Sequence, residues 1–116
     1  MDTTVWFNPA CSNCLTTQGI LEDRGVEADY VRYLEQAPGR DELVRVLSML
    51  GTDDPRIIVR EKEPVYHELG LGSAGPDELL DAMAANPVLI QRPIVIHGDR
   101  AVVARPPERV LELLDD

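Results

Sequence analysis

Apolar positions along the chain follow two rhythms, one with the period of strands and one with the period of helices. Thr4-Val5-Trp6-Phe7 is a β-branched and aromatic run that reads as a strand, and Asn8-Pro9 breaks it. From about Cys14 to Arg24 the pattern is helical, with Gly25 standing where a helix stops. A second strand, rich in Val and Tyr, is expected over 28–33. Strand, helix and strand within about 30 residues make a βαβ unit, which implies parallel strands and a right-handed crossover. Pro38-Gly39 then opens a helix with Asp41 and Glu42 in its first turn, where negative charge suits the helix dipole. Leu43, Val46, Leu47 and Leu50 recur at i, i+3, i+4, i+7, and Gly51 ends the stripe. Asp54-Pro55 predicts a short helix over 56–60, and 70–75 reads as a glycine-rich loop. Pro76-Asp77-Glu78 starts a further helix through Leu79, Leu80 and Met83, halted at Asn86-Pro87.

The last third returns to the strand period. Ile94-Val95-Ile96-His97 and Ala101-Val102-Val103-Ala104 flank Gly98-Asp99-Arg100 as a β-hairpin. Pro106-Pro107 leads into a final helix with Pro107, Val110, Leu111 and Leu114 expected on one face. The order is β-α-β, a helical insert of about 39–86, then β-β-α. It predicts one α/β domain over 1–116, a mixed four-stranded sheet with helices on both sides and thioredoxin-like topology.

Length and charge narrow the functions open to such a domain. At 116 residues the chain has the size of a single domain, and no apolar run approaches the roughly 18 residues of a spanning helix. Met1-Asp2-Thr3-Thr4 lacks the basic-then-apolar order of a secretory signal, so a cytoplasmic protein without membrane attachment is expected. A monomer is the expected state. Eleven Lys+Arg against 21 Asp+Glu leave a net charge of −10, which disfavours nucleic acid and anionic lipid as partners. Lys62 is the sole lysine beside ten arginines, and arginine offers a planar, permanently charged fork suited to oxyanions. Most of these arginines are nevertheless expected on the surface.

The chemistry-bearing residues lie between the first strand and the first helix. Cys11-Ser12-Asn13-Cys14 places a thiol at a helix N-terminus, where unpaired N–H groups and the dipole favour thiolate. A second cysteine three residues on can attack a mixed disulfide formed at the first. Near a βαβ pattern the pair reads as redox-active, against the plainer reading of two small buried hydrophobes. A zinc site would need two more ligands from His67 and His97 alone, so no metal is expected. Both histidines, and the pairs Asp53-Asp54 and Asp115-Asp116, read as surface groups. Three arginines stand out by context: Arg60 after Ile57-Ile58-Val59, Arg92 directly before Pro93, and Arg105 at the end of the hairpin. Converging on a low-pKa cysteine, they would cradle an oxyanion by bidentate hydrogen bonding.

These residues resemble the arsenate reductases of the thioredoxin fold that couple to glutathione and glutaredoxin. The resemblance runs nearly end to end, through Asn8-Pro9-Ala10-Cys11, Tyr33-Leu34-Glu35, Arg40-Asp41-Glu42-Leu43, Arg60 with Lys62, and Glu68-Leu69-Gly70-Leu71. Its most specific stretches are Pro87-Val88-Leu89-Ile90-Gln91-Arg92-Pro93-Ile94-Val95 and Arg105-Pro106-Pro107-Glu108-Arg109-Val110-Leu111. By that resemblance Cys11 attacks arsenic, Arg60, Arg92 and Arg105 hold the oxyanion, Pro93 is cis, and Asn8 helps orient the loop. No tightly bound cofactor is implied. The partners are arsenate or a similar oxyanion, an external thiol such as glutathione, and a glutaredoxin- or thioredoxin-like reductase.

The chain departs from the family pattern in its cysteine loop. Well-studied members carry a single cysteine followed by Gly, small hydroxyl residues and Arg, where this chain has Ser12, Asn13, Cys14 and Leu15. They also place a His before Asn-Pro, where this chain has Phe7. Cys14 therefore offers a possible internal resolving thiol, and two other readings stay open. One is a redox-sensing regulator that binds RNA polymerase through a Cys11–Cys14 disulfide switch. The other is a general thiol-disulfide oxidoreductase that holds no oxyanion.

Overall fold

The computed structural model describes residues 2–114, and its elements follow the expected order. In sequence they are β1 (Thr3–Phe7), α1 (Ser12–Asp23), β2 (Asp29–Arg32), α2 (Arg40–Met49), α3 (Pro64–Glu68), α4 (Pro76–Ala85), β3 (Ile94–His97), β4 (Arg100–Val103) and α5 (Leu111–Leu114). The chain divides into two compact units, one built from its two ends (through Gln36 and from Arg92) and the other from Ala37–Gln91.

The first unit holds a four-stranded sheet in the order β2-β1-β3-β4. β1 and β2 run parallel, while β3 is antiparallel to both β1 and β4. This is the mixed, thioredoxin-like sheet that the pattern predicts. Register sets one apolar row across all four strands: Tyr30 opposite Val5, Val5 opposite Val95, and Val95 opposite Val102. Side chains alternate across a sheet, so Val5 and Phe7 share the face of that row while Trp6 takes the other. Leu21 of α1 and Val110 and Leu113 near the C-terminus complete the core on this face. Each such side chain contributes about 1.5–3 kcal/mol by leaving water. Trp6 and Ile94, on the opposite face, are buried as well.

Several boundaries differ from expectation, the three most informative for a local reason. Helix α1 begins at Ser12 rather than Cys14, with Cys11 in extended geometry as its N-cap. The helical stripe starts only at the first apolar side chain, so it hides the polar first turn. In the hairpin, His97 pairs with Arg100, so the loop is Gly98-Asp99, with Gly98 at φ +63°. The final helix opens as a 3-10 turn over Pro107–Val110. That geometry has three residues per turn, so Pro107, Val110 and Leu113 point inward, whereas Leu111 and Leu114 are only half-buried. The expected charge pair Asp115-Asp116 lies outside the described residues.

The second unit is helical. Leu43, Val46 and Leu47 of α2 are buried, as are Leu79, Leu80 and Met83 of α4, and the two helices pack together. Leu50 ends α2 as its C-cap and is half-buried. The short helix expected over 56–60 is a 3-10 turn over Pro55–Ile58, where Asp54 Oδ1 accepts the Arg56 N–H at 3.0 Å. α3 has no counterpart in the pattern, because one turn after Pro64 is too short to show a period. Arg56 is not a surface residue of the ordinary kind. Its guanidinium donates to Tyr66 Oη at 3.1 Å and to the carbonyls of Leu71 and Ala74 at 2.9 Å each, tying down the glycine-rich loop.

Candidate active site

Sheet register brings the chemistry-bearing residues of the first unit to one end. Trp6 pairs with Ile94, so Phe7 at the end of β1 lies beside the Arg92-Pro93 entry to β3. Ile94 pairs with Val103, so Arg105 leaves β4 at that same end. The cysteine loop continues directly from β1. Asn8 shapes it: its side-chain oxygen accepts the Ala10 N–H at 2.9 Å and its carbonyl accepts the Cys11 N–H at 3.0 Å. Cys11 is thereby fixed as the N-cap of a 12-residue helix, where free N–H groups and the dipole favour negative charge.

Both cysteines are free thiols, but their surroundings differ. Cys11 is 9% exposed and Cys14, one turn into α1, is 0% exposed. Burial works against the Cys11 thiolate, yet the Cys14 backbone N–H, the Arg92 guanidinium and the Cys14 thiol outweigh it and draw Cys11 down to about 7. Burial pushes Cys14 up to about 12, with help from the neighbouring Cys11 and against the pull of the Asn8 backbone and Arg92. Of the two sulfurs Cys11 is therefore the one that ionises around neutral pH, while Cys14 stays a thiol.

Arg92 is the cation that acts on this pair. Burial disfavours its charge, but the Cys11 sulfur and the Tyr33 hydroxyl beside it hold the guanidinium more firmly protonated. Its Nε is buried without a hydrogen-bond partner. The Arg92-Pro93 bond is cis, as the resemblance implies, and so is Arg105-Pro106. Arg105 is exposed, and its Nη1 donates to the Arg92 carbonyl at 2.9 Å. Arg60 belongs to the second unit, where its Nε donates to Glu63 Oε1 at 3.0 Å and its side chain is 19% exposed.

Sequence reasoning missed Tyr33 as part of this cluster. It is fully buried just beyond β2, and the only signal for it was its place in the Tyr33-Leu34-Glu35 stretch. Phe7 packs edge-on against Tyr30 with ring centroids 5.3 Å apart, in the same apolar cluster as Cys11 and Cys14. It supplies no charge, so the lowering of Cys11 rests on the Cys14 backbone N–H at the helix N-terminus, on Arg92 and on the Cys14 thiol. His97 is at the other end of the sheet, where its Nδ1 hydrogen-bonds Thr3 Oγ1 at 2.7 Å. His67 is exposed on α3 in the second unit. Among the described residues no group of three or more His, Cys, Asp or Glu is placed to hold a metal, and no helix is long and apolar enough to cross a membrane.

Comparison with known proteins identifies relatives of the whole chain. The chain is 38% identical over 116 residues to an arsenate reductase from Haemophilus influenzae, covering 98% of this chain and 100% of that protein. It is 39% identical over 112 residues to the uncharacterized protein YfgD of Escherichia coli (strain K12), covering 95% and 94%. Among solved structures, an arsenate reductase from Vibrio cholerae superposes with a TM-score of 0.93 at 41% identity, covering 97% of this chain and 98% of that one. The model of the ArsC family matches residues 6–113. With relatives of this identity aligned from end to end and a family model spanning nearly the whole sequence, the chain belongs to the ArsC family.

Proposed function

We propose that this protein is a thiol-dependent arsenate reductase in which Cys11 is the nucleophile. The observation that carries the reading is a helix N-cap thiol drawn down to about 7 beside a guanidinium whose buried Nε has no partner. Such a thiol is substantially thiolate around neutral pH, and the cation next to it attracts the oxyanion that the thiolate must attack. The reaction converts arsenate and two thiols into arsenite, one disulfide and water. Cys11 attacks arsenic and an arsenic-bound oxygen leaves as water, forming a sulfur–arsenic bond. Attack by a second thiol on the Cys11 sulfur breaks that bond, and its electron pair stays on arsenic as arsenite departs.

Arg92 and Arg105 are assigned to the oxyanion from the first unit, and Arg60 joins them on the strength of the resemblance. Asn8 and Pro93 shape the loop and its neighbour. At −10 net charge the protein repels anions at long range, so binding must come from these local forks. Electrons are assigned to glutathione with glutaredoxin, or to a thioredoxin-like system, in the cytoplasm, with no tightly bound cofactor.

The test is to incubate the purified protein with arsenate and each thiol system in turn. Arsenite is expected to accumulate catalytically with at least one of them. Absence of arsenite with every reductant overturns the reading.

A further inference from the structure

The second thiol of the site is the feature that the family resemblance leaves without a task. Cys11 is the N-cap of α1 and Cys14 lies in the first turn of the same helix. Both belong to one apolar cluster with Val5, Phe7 and Leu21. Their burial is graded, and only Cys11 retains any exposure. Cys14 is closed to an external thiol, whereas Cys11 keeps slight exposure and has the Cys14 thiol in hydrogen-bonding contact from within. We infer that Cys14 is the resolving thiol of this site, closing a Cys11–Cys14 disulfide that expels arsenic as arsenite, so that both electrons come from the chain itself. The inference rests on the arsenate reductase reading and specifies its reductant. What must be regenerated is an intramolecular disulfide presented at Cys11, a substrate suited to a dithiol protein.

The step balances. The Cys14 sulfur attacks the Cys11 sulfur of the arsenic adduct, the S–S bond forms and the S–As bond breaks. Its electron pair stays on arsenic, which goes from +5 to +3, and the Cys14 proton passes to an oxygen of the departing arsenite. The resting state also explains the order of events. A thiolate at Cys11 helps keep Cys14 protonated. Once Cys11 is bonded to arsenic its sulfur is no longer a nucleophile but the electrophilic centre that Cys14 attacks.

A single-turnover experiment decides the matter. The reduced protein, freed of all small thiols, is mixed with excess arsenate, and arsenite, free thiols and intact mass are measured. The expected result is about one arsenite per chain, loss of both thiols and a mass lower by two hydrogens. Cys14→Ser is expected to yield no arsenite in this format, while arsenate still protects its Cys11 from alkylation. The thiol count on the unaltered protein stands even where that variant folds poorly. Absence of arsenite in this format, together with catalytic turnover when glutathione and glutaredoxin are added, overturns the inference and leaves the reductase reading intact. A Cys14→Ser protein that still releases one arsenite per chain overturns it too. Absence of arsenite in every format removes both.

Discussion

Cys11→Ser is expected to abolish arsenate reduction, with a loss of at least about 10⁴-fold in kcat, as when an essential nucleophile is removed. A serine hydroxyl stays protonated at neutral pH and cannot take up the disulfide that must form when arsenic is reduced. The helix dipole, the Arg92 guanidinium and the neighbouring N–H groups would remain, but they would act on a group that cannot donate electrons. Structural collapse is a poor alternative explanation, since serine is nearly isosteric with cysteine and position 11 keeps slight exposure. Thermal unfolding of the variant is therefore expected to stay close to that of the parent. Measured arsenite formation within tenfold of the parent would contradict the assignment.

Arg92→Ala is expected to lower kcat/KM about 10²–10³-fold, the loss typical of a preorganised group that stabilises an oxyanion. The same substitution removes a charge and a hydrogen bond from the Cys11 thiolate. The reactive thiol is accordingly expected to titrate well above 7, toward the ordinary thiol range near about 8.5. The two readouts separate mechanism from folding, because a merely unstable variant loses activity without moving the pH midpoint of its folded fraction. Tyr33 lies against Arg92 and takes part in holding it. An Arg92→Ala protein with unchanged kcat/KM and an unchanged midpoint would remove Arg92 from the site.

Much of this was legible in the sequence because the elements that matter are long or strongly punctuated. Val5, Val95 and Val102 lie in strand-period runs, and their pairing follows once the strands are placed. Leu43, Val46 and Leu47 show a helical stripe, and all three are buried. Cys11 was readable because a β-branched strand ends at Asn8-Pro9 and a helical pattern follows. Other features left no periodic trace. α3 is a single turn, and the 3-10 start of the last helix moves the inward face from Leu111 to Leu113. Arg56 looks in sequence like any other arginine, since its partners are carbonyls that only the folded loop collects. Tyr33 and Arg92 are far apart along the chain and meet only through β1, which separates β2 from β3 in the sheet. The opposed tendencies of Cys11 and Cys14 depend on burial, which the spacing of two cysteines does not encode.

The central claim, that Cys11 is a thiolate poised on an oxyanion site, is tested most directly by its alkylation rate as a function of pH, with and without arsenate. Modification is mapped to Cys11 by mass spectrometry. The account predicts a rate that rises through a midpoint near 7, levels off above it, and falls when arsenate is present. A midpoint in the ordinary thiol range near about 8.5, with no protection by arsenate, would contradict it.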